Sequence, residues 1–285
     1  MKKLFATVAF SAIVLASGAA SATTVTLNLV ASYSRSDAFG LAYDGSHVWW
    51  SDGGGSIHEM TTGGIDTGNV ITGTQWSALA WDASKTKIAT VTRNGITEYD
   101  RATTGSVSSS SLNAVHTDLA GSPNFLTDGL DIEGQTVYWS PDVSFVNKSN
   151  LDGSGSTTQI LPAGGGYSGV EFVNIGAANY LFVVNDATSP RQLCYHDAAT
   201  AAQLGCTTLP NNRYEDLAFD GRYLYAADFY GSRIDKIDVL SDGVSVFDPG
   251  PAGVPEPASW ALMIIGFFSV GSLLRRQEGL AAPVL

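Results

Sequence analysis

One short pattern returns five times along this 285-residue chain, and its spacing leaves few folds open. The copies are Phe39-Gly40-Leu41-Ala42-Tyr43-Asp44-Gly45, Trp76-Ser77-Ala78-Leu79-Ala80-Trp81-Asp82, Thr127-Asp128-Gly129-Leu130-Asp131-Ile132-Glu133-Gly134, Tyr167-Ser168-Gly169-Val170-Glu171-Phe172 and Tyr214-Glu215-Asp216-Leu217-Ala218-Phe219-Asp220-Gly221. Aligned on Leu41, Leu79, Leu130, Val170 and Leu217, they step by 38, 51, 40 and 47 residues. That is the period of a propeller blade, too long for a tetratricopeptide or leucine-rich repeat. Most copies run through an Asp turn into a second strand-like segment, such as Val48-Trp49-Trp50-Ser51 or Val137-Tyr138-Trp139-Ser140, and then a third. These segments are rich in aromatic and β-branched residues, alternate in polarity and are punctuated by Asp, Asn and Gly. Nothing between the two ends reads as a long amphipathic helix.

The expectation is an all-β fold, a β-propeller of five blades, with residues 25–29 supplying a strand that closes the ring beside the final unit. The 51-residue step leaves room for a sixth blade between Asp100 and Asp128, although residues 101–111 read better as a loop. A β-sandwich, also built of many short strands, is the competing architecture.

The two ends of the chain carry different information. Lys2-Lys3, the apolar stretch 4–15 and Ala20-Ser21-Ala22 have the layout of a signal peptide over residues 1–22. At the other end, Val254-Pro255-Glu256-Pro257 precedes an apolar run and Arg275-Arg276. As a helix, residues 258–274 would rise about 25 Å, slightly under the roughly 30 Å hydrocarbon core, with the arginines held on the cytoplasmic side. This arrangement resembles the PEP-CTERM sorting signal of Gram-negative exopolysaccharide-producing bacteria. The resemblance implies processing by an exosortase-like enzyme, a single transmembrane helix before processing, and delivery to the periplasm, cell surface or extracellular matrix. The domain reading is a propeller over 23–250, a Pro-Glu-Pro linker over 251–257, a transmembrane sorting signal over 258–276 and a short tail over 277–285. Members of that family usually end at or just after the arginines, so the tail is a departure.

The exported body has likenesses of its own. Val137-Tyr138-Trp139-Ser140-Pro141-Asp142 resembles the YWTD signature of low-density-lipoprotein-receptor propellers, and Val48-Trp49-Trp50-Ser51-Asp52 echoes it. The Asp-Gly-Leu-Asp-Ile-Glu-Gly and Leu-Ala-Phe-Asp-Gly segments are similar to NHL and lactonase-type propeller repeats. Such folds host binding, scaffolding and hydrolysis alike.

Charge and cysteine content narrow the partners. With 27 acidic against 15 basic residues the net charge is −12, so the chain lacks the positive surface that nucleic acid requires. Cys194 and Cys206 both fall in the exported part, where an oxidising compartment permits a disulfide between neighbouring strands or across a local excursion. No Cys-x-x-Cys pair supports zinc.

Candidate chemistry is sparse. Asp131, Glu171 and Asp216 occupy aligned innermost-strand positions, and carboxylates converging there would suit Ca²⁺, as in lactonase-like propellers; the same residues also suit capping of backbone N–H groups. His47, His58, His116 and His196 fall at different places in the repeat, and there is no Gly-x-Ser-x-Gly elbow. Asp44, Asp82 and Asp220 recur at one turn, which points to a shared structural task. Trp49, Trp50, Trp76, Trp81 and Trp139 offer sugar-stacking faces if they point outward, and otherwise pack between blades. These observations favour a non-enzymatic protein that binds exopolysaccharide or an envelope protein. The alternatives are a metal-dependent lactonase- or esterase-like hydrolase, a polysaccharide-active enzyme, and a purely structural matrix component.

Overall fold

The computed structural model of the protein describes residues 24–248 apart from 73, 75–76, 83, 93–94, 101–105, 109–127, 141–144, 152–157, 162–165, 187 and 210–212. The expected signal peptide over residues 1–22, the Val254–Pro257 motif, the apolar run, Arg275-Arg276, Trp76 and His116 lie outside the described residues. Among the described residues no helix is long and apolar enough to cross a membrane.

The strands form five antiparallel sheets, one per repeat. The first blade is β2 (Leu41–Tyr43), β3 (His47–Ser51), β4 (Ser56–Thr61) and β5 (Asp66–Thr72). The second is β6 (Leu79–Trp81), β7 (Lys87–Thr92), β8 (Gly95–Asp100) and β9 (Ser106–Ser108). The third is β10 (Gly129–Glu133), β11 (Thr136–Ser140), β12 (Val146–Asn150) and β13 (Thr158–Leu161). The fourth is β14 (Tyr167–Ile175), β15 (Ala178–Asn185), β16 (Arg191–Asp197) and β17 (Gln203–Leu209). The fifth takes β18 (Tyr214–Phe219), β19 (Leu224–Asp228) and β20 (Arg233–Ser241) from the end of the domain and its outer strand β1 (Val25–Ser34) from the beginning; β21 (Val244–Ser245) adds to β20.

β1 pairs antiparallel with β20 from Val25 opposite Ser241 to Ser34 opposite Arg233, which joins the two ends of the domain and closes the ring. The expected closing strand is therefore present and longer than the sequence suggests. The innermost strands β2, β6, β10, β14 and β18 touch in that order and return to β2. Because β6 lies directly beside β10, no sixth blade separates them, and the radial order also excludes a sandwich.

The core is divided among the five gaps between blades. Trp50, Leu41 and Met60 pack against Ala218, Tyr225 and Ile234 of the fifth blade, whereas Trp49, Ala42 and Ile57 face Leu79, Trp81 and Ile88 of the second. Adjacent residues in a strand point to opposite faces, and here both faces meet a neighbouring blade. That is why Trp49 and Trp50 are both buried, and why every residue of β19 is buried. Each tryptophan hides on the order of 200 Å², or about 5 kcal/mol of transfer free energy before the entropy of ordering is charged against it. Trp81 and Trp139 are equally buried, so none of these four offers a sugar platform.

Cys194 on β16 and Cys206 on β17 sit directly opposite one another and are joined by a disulfide closing a separation of 12 residues. Converting both to alanine is expected to lower stability by about 2 to 3 kcal/mol, because a loop of this length is freed in the unfolded chain. Urea unfolding of the variant, and of the parent with reductant, should give matching losses.

Candidate functional site

The turn aspartates act as the repeat implies. Asp44 Oδ1 accepts the N–H groups of Ser46 and His47, Asp82 Oδ1 those of Thr86 and Lys87, and Asp220 Oδ1 those of Arg222 and Tyr223. Such side-chain turns hold the hairpin between a blade's first two strands. Gly45 and Gly221 follow with φ of 98° and 94°, a region only glycine enters freely. Burial raises the Asp44 and Asp82 carboxyls, but their hydrogen bonds outweigh it and leave both below the usual range.

The innermost strands converge on one carboxylate. The residue before each aligned apolar position is Gly40, Ala78, Gly129, Gly169 or Asp216, four small residues and a single acid. At Gly40, Gly129 and Gly169 a Cβ would run into the neighbouring blade, whereas the Asp216 side chain reaches the axis and is fully buried. Its Oδ2 accepts the N–H groups of Leu41 (2.8 Å) and Leu79 (3.1 Å), and its Oδ1 that of Leu217 (3.0 Å). The Leu130 N–H also bonds to it. One side chain thus fastens the innermost strands of blades one, two, three and five.

A second acidic layer lies toward the face where these strands end. Asp131 Oδ2 accepts the Phe172 N–H of the next blade at 2.9 Å, and Glu171 Oε1 accepts the Phe219 N–H of the blade after that at 2.9 Å. Both carboxyls are enclosed by protein but keep part of their surface on a cavity of about 320 Å³, to which Lys85, Glu133, Phe172 and Phe219 also contribute. Burial pushes Asp131 up to about 6, against the Phe172 N–H and the Lys85 ammonium. Burial and repulsion from Asp131 and Asp216 hold Glu171 well above the usual carboxylate range. Asp216 is likewise raised well above it by burial, with its four N–H donors acting in the opposite direction.

These shifts predict an acid-side stability maximum. A carboxyl whose folded pKa is raised binds more protons folded than unfolded, so its stabilising effect is complete below the unfolded pKa near 4 and is lost as pH climbs through the folded value. For Asp131 that loss falls between about pH 4 and about pH 6. Asp44 and Asp82 have depressed values, so their contribution disappears only as pH drops below the usual carboxylate range. Melting temperature should therefore peak near pH 4 to 5 and fall toward pH 7.5. In Glu171→Gln, which keeps an oxygen for the Phe219 N–H, the fall should be shallower; an unchanged slope would show that Glu171 does not titrate over this range.

Asp131, Glu171 and Asp216 are thus near neighbours on the axis, as their aligned positions suggest. Ca²⁺ surrounds itself with six to eight oxygens. The Asp216 oxygens are taken by backbone N–H donors, whereas Asp131 and Glu171 each accept one from the next blade and also border the cavity. Among the described residues, the trio of His, Asp and Glu whose ligand atoms come within 4.8 Å of one another is Asp44, His47 and Glu59. There Asp44 Oδ2 accepts the Trp49 indole N–H at 3.0 Å, and Glu59 Oε2 accepts from Thr67 and Asn69. His47 Nδ1 stands 3.5 Å from Glu59 Oε1.

The remaining described histidines do local work. His58 stacks on Trp50 and contacts Asp52 at 2.8 Å, and His196 Nδ1 lies 3.2 Å from the Ala201 carbonyl. Sequence reasoning passed over the serine that ends the second strand. Ser51 Oγ donates to the Ser77 carbonyl of the next blade (2.7 Å) while accepting the Gly40 N–H (2.8 Å), and Ser140 Oγ donates to the Ser168 carbonyl. The repeated Trp-Ser pair was the available signal for these blade-to-blade links.

Five radial sheets, four of them four-stranded and the fifth five-stranded, closed by a strand from the opposite end of the domain and fastened at the axis, define a five-bladed β-propeller. No family model matches the sequence, and no curated protein matches it. Among solved structures, the glutaminyl cyclase of Myxococcus xanthus is similar with a TM-score of 0.51 and 13% identity, over 75% of this chain and 97% of that one. A chain of the nidogen/laminin complex gives a TM-score of 0.48 at 17% identity over 72% and 75%. The β-propeller domain of Myceliophteria thermophila Cps50 (Swd1) gives 0.47 at 8% over 74% and 99%. At such identities the likeness is one of fold.

Proposed function

We propose that the chain is an exported, non-enzymatic binding or scaffold propeller, sorted to the cell envelope or the exopolysaccharide matrix by an exosortase-type system acting on Val254-Pro255-Glu256-Pro257. The observation that carries the non-enzymatic part is the axis. Asp216 spends its oxygens on backbone N–H groups of four blades, so the centre of the ring serves as a fastening and the function falls to its surface. The Cys194–Cys206 disulfide agrees with an oxidising compartment, and the tail with its apolar run and Arg275-Arg276 supplies the address.

The test is to produce the full chain in a Gram-negative host that carries an exosortase, alongside a variant with Pro255, Glu256 and Pro257 all changed to alanine. The parent should reach the outer envelope or the medium with a mass that places its new end near Glu256, and the variant should stay uncut in the inner membrane. Recovery of the parent as an uncut inner-membrane protein would make the tail an ordinary anchor.

The cavity beside Asp131 and Glu171 favours a second reading, a hydrolase acting on lactones, esters or polysaccharide, because carboxyls with raised pKa beside a cavity are suited to proton transfer. Turnover of such substrates, with and without added Ca²⁺, that disappears in Glu171→Gln while the fold persists would establish it.

A further inference from the structure

On the face where the innermost strands begin, a second cavity of about 360 Å³ opens between the fourth and fifth blades. It gathers Arg191, Arg213 and Arg233, three of the 15 basic residues of a chain with net charge −12. Each guanidinium lies within ion-pair distance of acids that are themselves buried. Asp186 lies 3.4 Å from Arg191 Nε and 2.7 Å from Arg213 Nε, Glu215 lies 3.0 Å from Arg213 Nε, and Asp228 and Asp235 lie 2.8 and 3.1 Å from Arg233 nitrogens. The acid side chains are at most 9% exposed, whereas the three arginines are 42, 29 and 34% exposed. Asp228 also borders the cavity, but the arginines are the more exposed groups that an arriving ligand meets, on side chains already paired with the acids.

An aromatic ring stands at the rim. Tyr230 is 65% exposed, at the tip of the β19–β20 turn, where Ser232 takes a φ of 51°. Arg213 Nη1 donates to its hydroxyl at 3.0 Å, and Phe229 packs edge-on at 5.2 Å. The ring is thus held in place while most of its surface faces water. Among the described residues it is one of few large apolar side chains left so exposed.

We infer that this cavity is a subsite for the uronate unit of an acidic polysaccharide. The planar guanidinium fork matches a carboxylate in two-point contact, and the face of Tyr230 away from the Arg213 guanidinium, which lies over the ring 4.8 Å from its centroid, suits the C–H side of a sugar ring. The volume falls within the range of small-ligand pockets. Inorganic anions would use the arginines alone and leave Tyr230 without a part. The inference rests on the binding function proposed above and gives that function a ligand class.

Calorimetric titration of the full chain, purified from an exporting host, tests it with tri-galacturonate, maltotriose and inorganic phosphate as probes. Tri-galacturonate should bind and maltotriose should not. Arg191→Gln should weaken binding roughly tenfold or more, the loss expected for a charge-assisted hydrogen bond. Tyr230→Ala should weaken it too, and Tyr230→Phe should restore most of it. Arg222→Gln, which alters an arginine paired with Asp238 elsewhere on the ring, should change nothing. Equal binding of maltotriose, phosphate competing as strongly as the uronate, or parental affinity in both Arg191→Gln and Tyr230→Ala would each overturn the subsite. If the host's own matrix polysaccharide is retained equally by parent and Arg191→Gln, the subsite falls and the binding function stands. If no glycan is retained and the tail stays uncut, both fall.

Discussion

Asp216→Ala is expected to remove most of the stability of the domain, and to do so without touching any apolar contact of consequence. The reason is an asymmetry in what the substitution leaves behind. A buried carboxylate is costly, and exchanging it together with its partners for apolar groups can be neutral. Here the partners are the backbone N–H groups of Leu41, Leu79, Leu130 and Leu217, which no side-chain substitution can delete. Each orphaned buried donor costs about 1 to 3 kcal/mol, so the loss should be about 4 kcal/mol or more, against a typical net stability of about 5 to 15 kcal/mol. Asp216→Asn keeps the shape and one acceptor oxygen, but turns an NH₂ toward at least one donor, and should fall between alanine and the parent. Urea midpoints in the order parent, Asn, Ala would support the fastening role. Equal midpoints for parent and alanine would show that the axis holds without it.

Gly129→Ala should produce a loss of similar size by steric means. A Cβ there would lie well inside contact distance of the Ser168 carbonyl oxygen and the Val170 nitrogen, and 2.6 Å from Ser140 Oγ. Two of these atoms are backbone of the next blade, so no rotamer change relieves the clash. The third blade must move away from the fourth, which breaks the Ser140–Ser168 link and opens the cluster that holds Tyr138, Val170 and Val183. Overpacking at such a site costs about 3 kcal/mol, and more where backbone is the obstacle. Gly134→Ala is the comparison. It has nothing within 4 Å but a φ of 61°, so it should cost only the strain of a left-handed alanine, about 1 kcal/mol. If the two variants melt alike, close approach of the blades is not what position 129 requires.

Much of this architecture was legible in the sequence. The repeat gave the blade-length unit and its strand order because alternation and turn chemistry are local: an aspartate two to five residues before an N–H can bond to it whatever the rest of the chain does. The purpose of Asp44, Asp82 and Asp220 was readable for the same reason. The axial acids were readable as positions but not as partners. Asp216 reaches Leu41 across 175 residues and Leu79 across 137, and nothing in the pattern around position 216 says which N–H groups will face it.

The arginine cavity was missed altogether. Arg191, Arg213 and Arg233 lie outside the repeat motif, and nothing in the pattern around Asp186, Glu215, Asp228 or Asp235 says which guanidinium each will meet. The sequence by itself determined the local elements: strands of period two, aspartate-held turns, a blade-length repeat and a terminal segment able to pair. The tertiary structure alone decided that the ring closes at five, that Asp216 becomes the shared acceptor at its centre, and that three arginines rise over buried carboxylates beside Tyr230. Closure brings Asp216 to N–H groups more than a hundred residues away, the packing of the fourth blade on the fifth brings the arginines to their acids, and only when water is removed from between such groups do their charges and hydrogen bonds acquire definite partners.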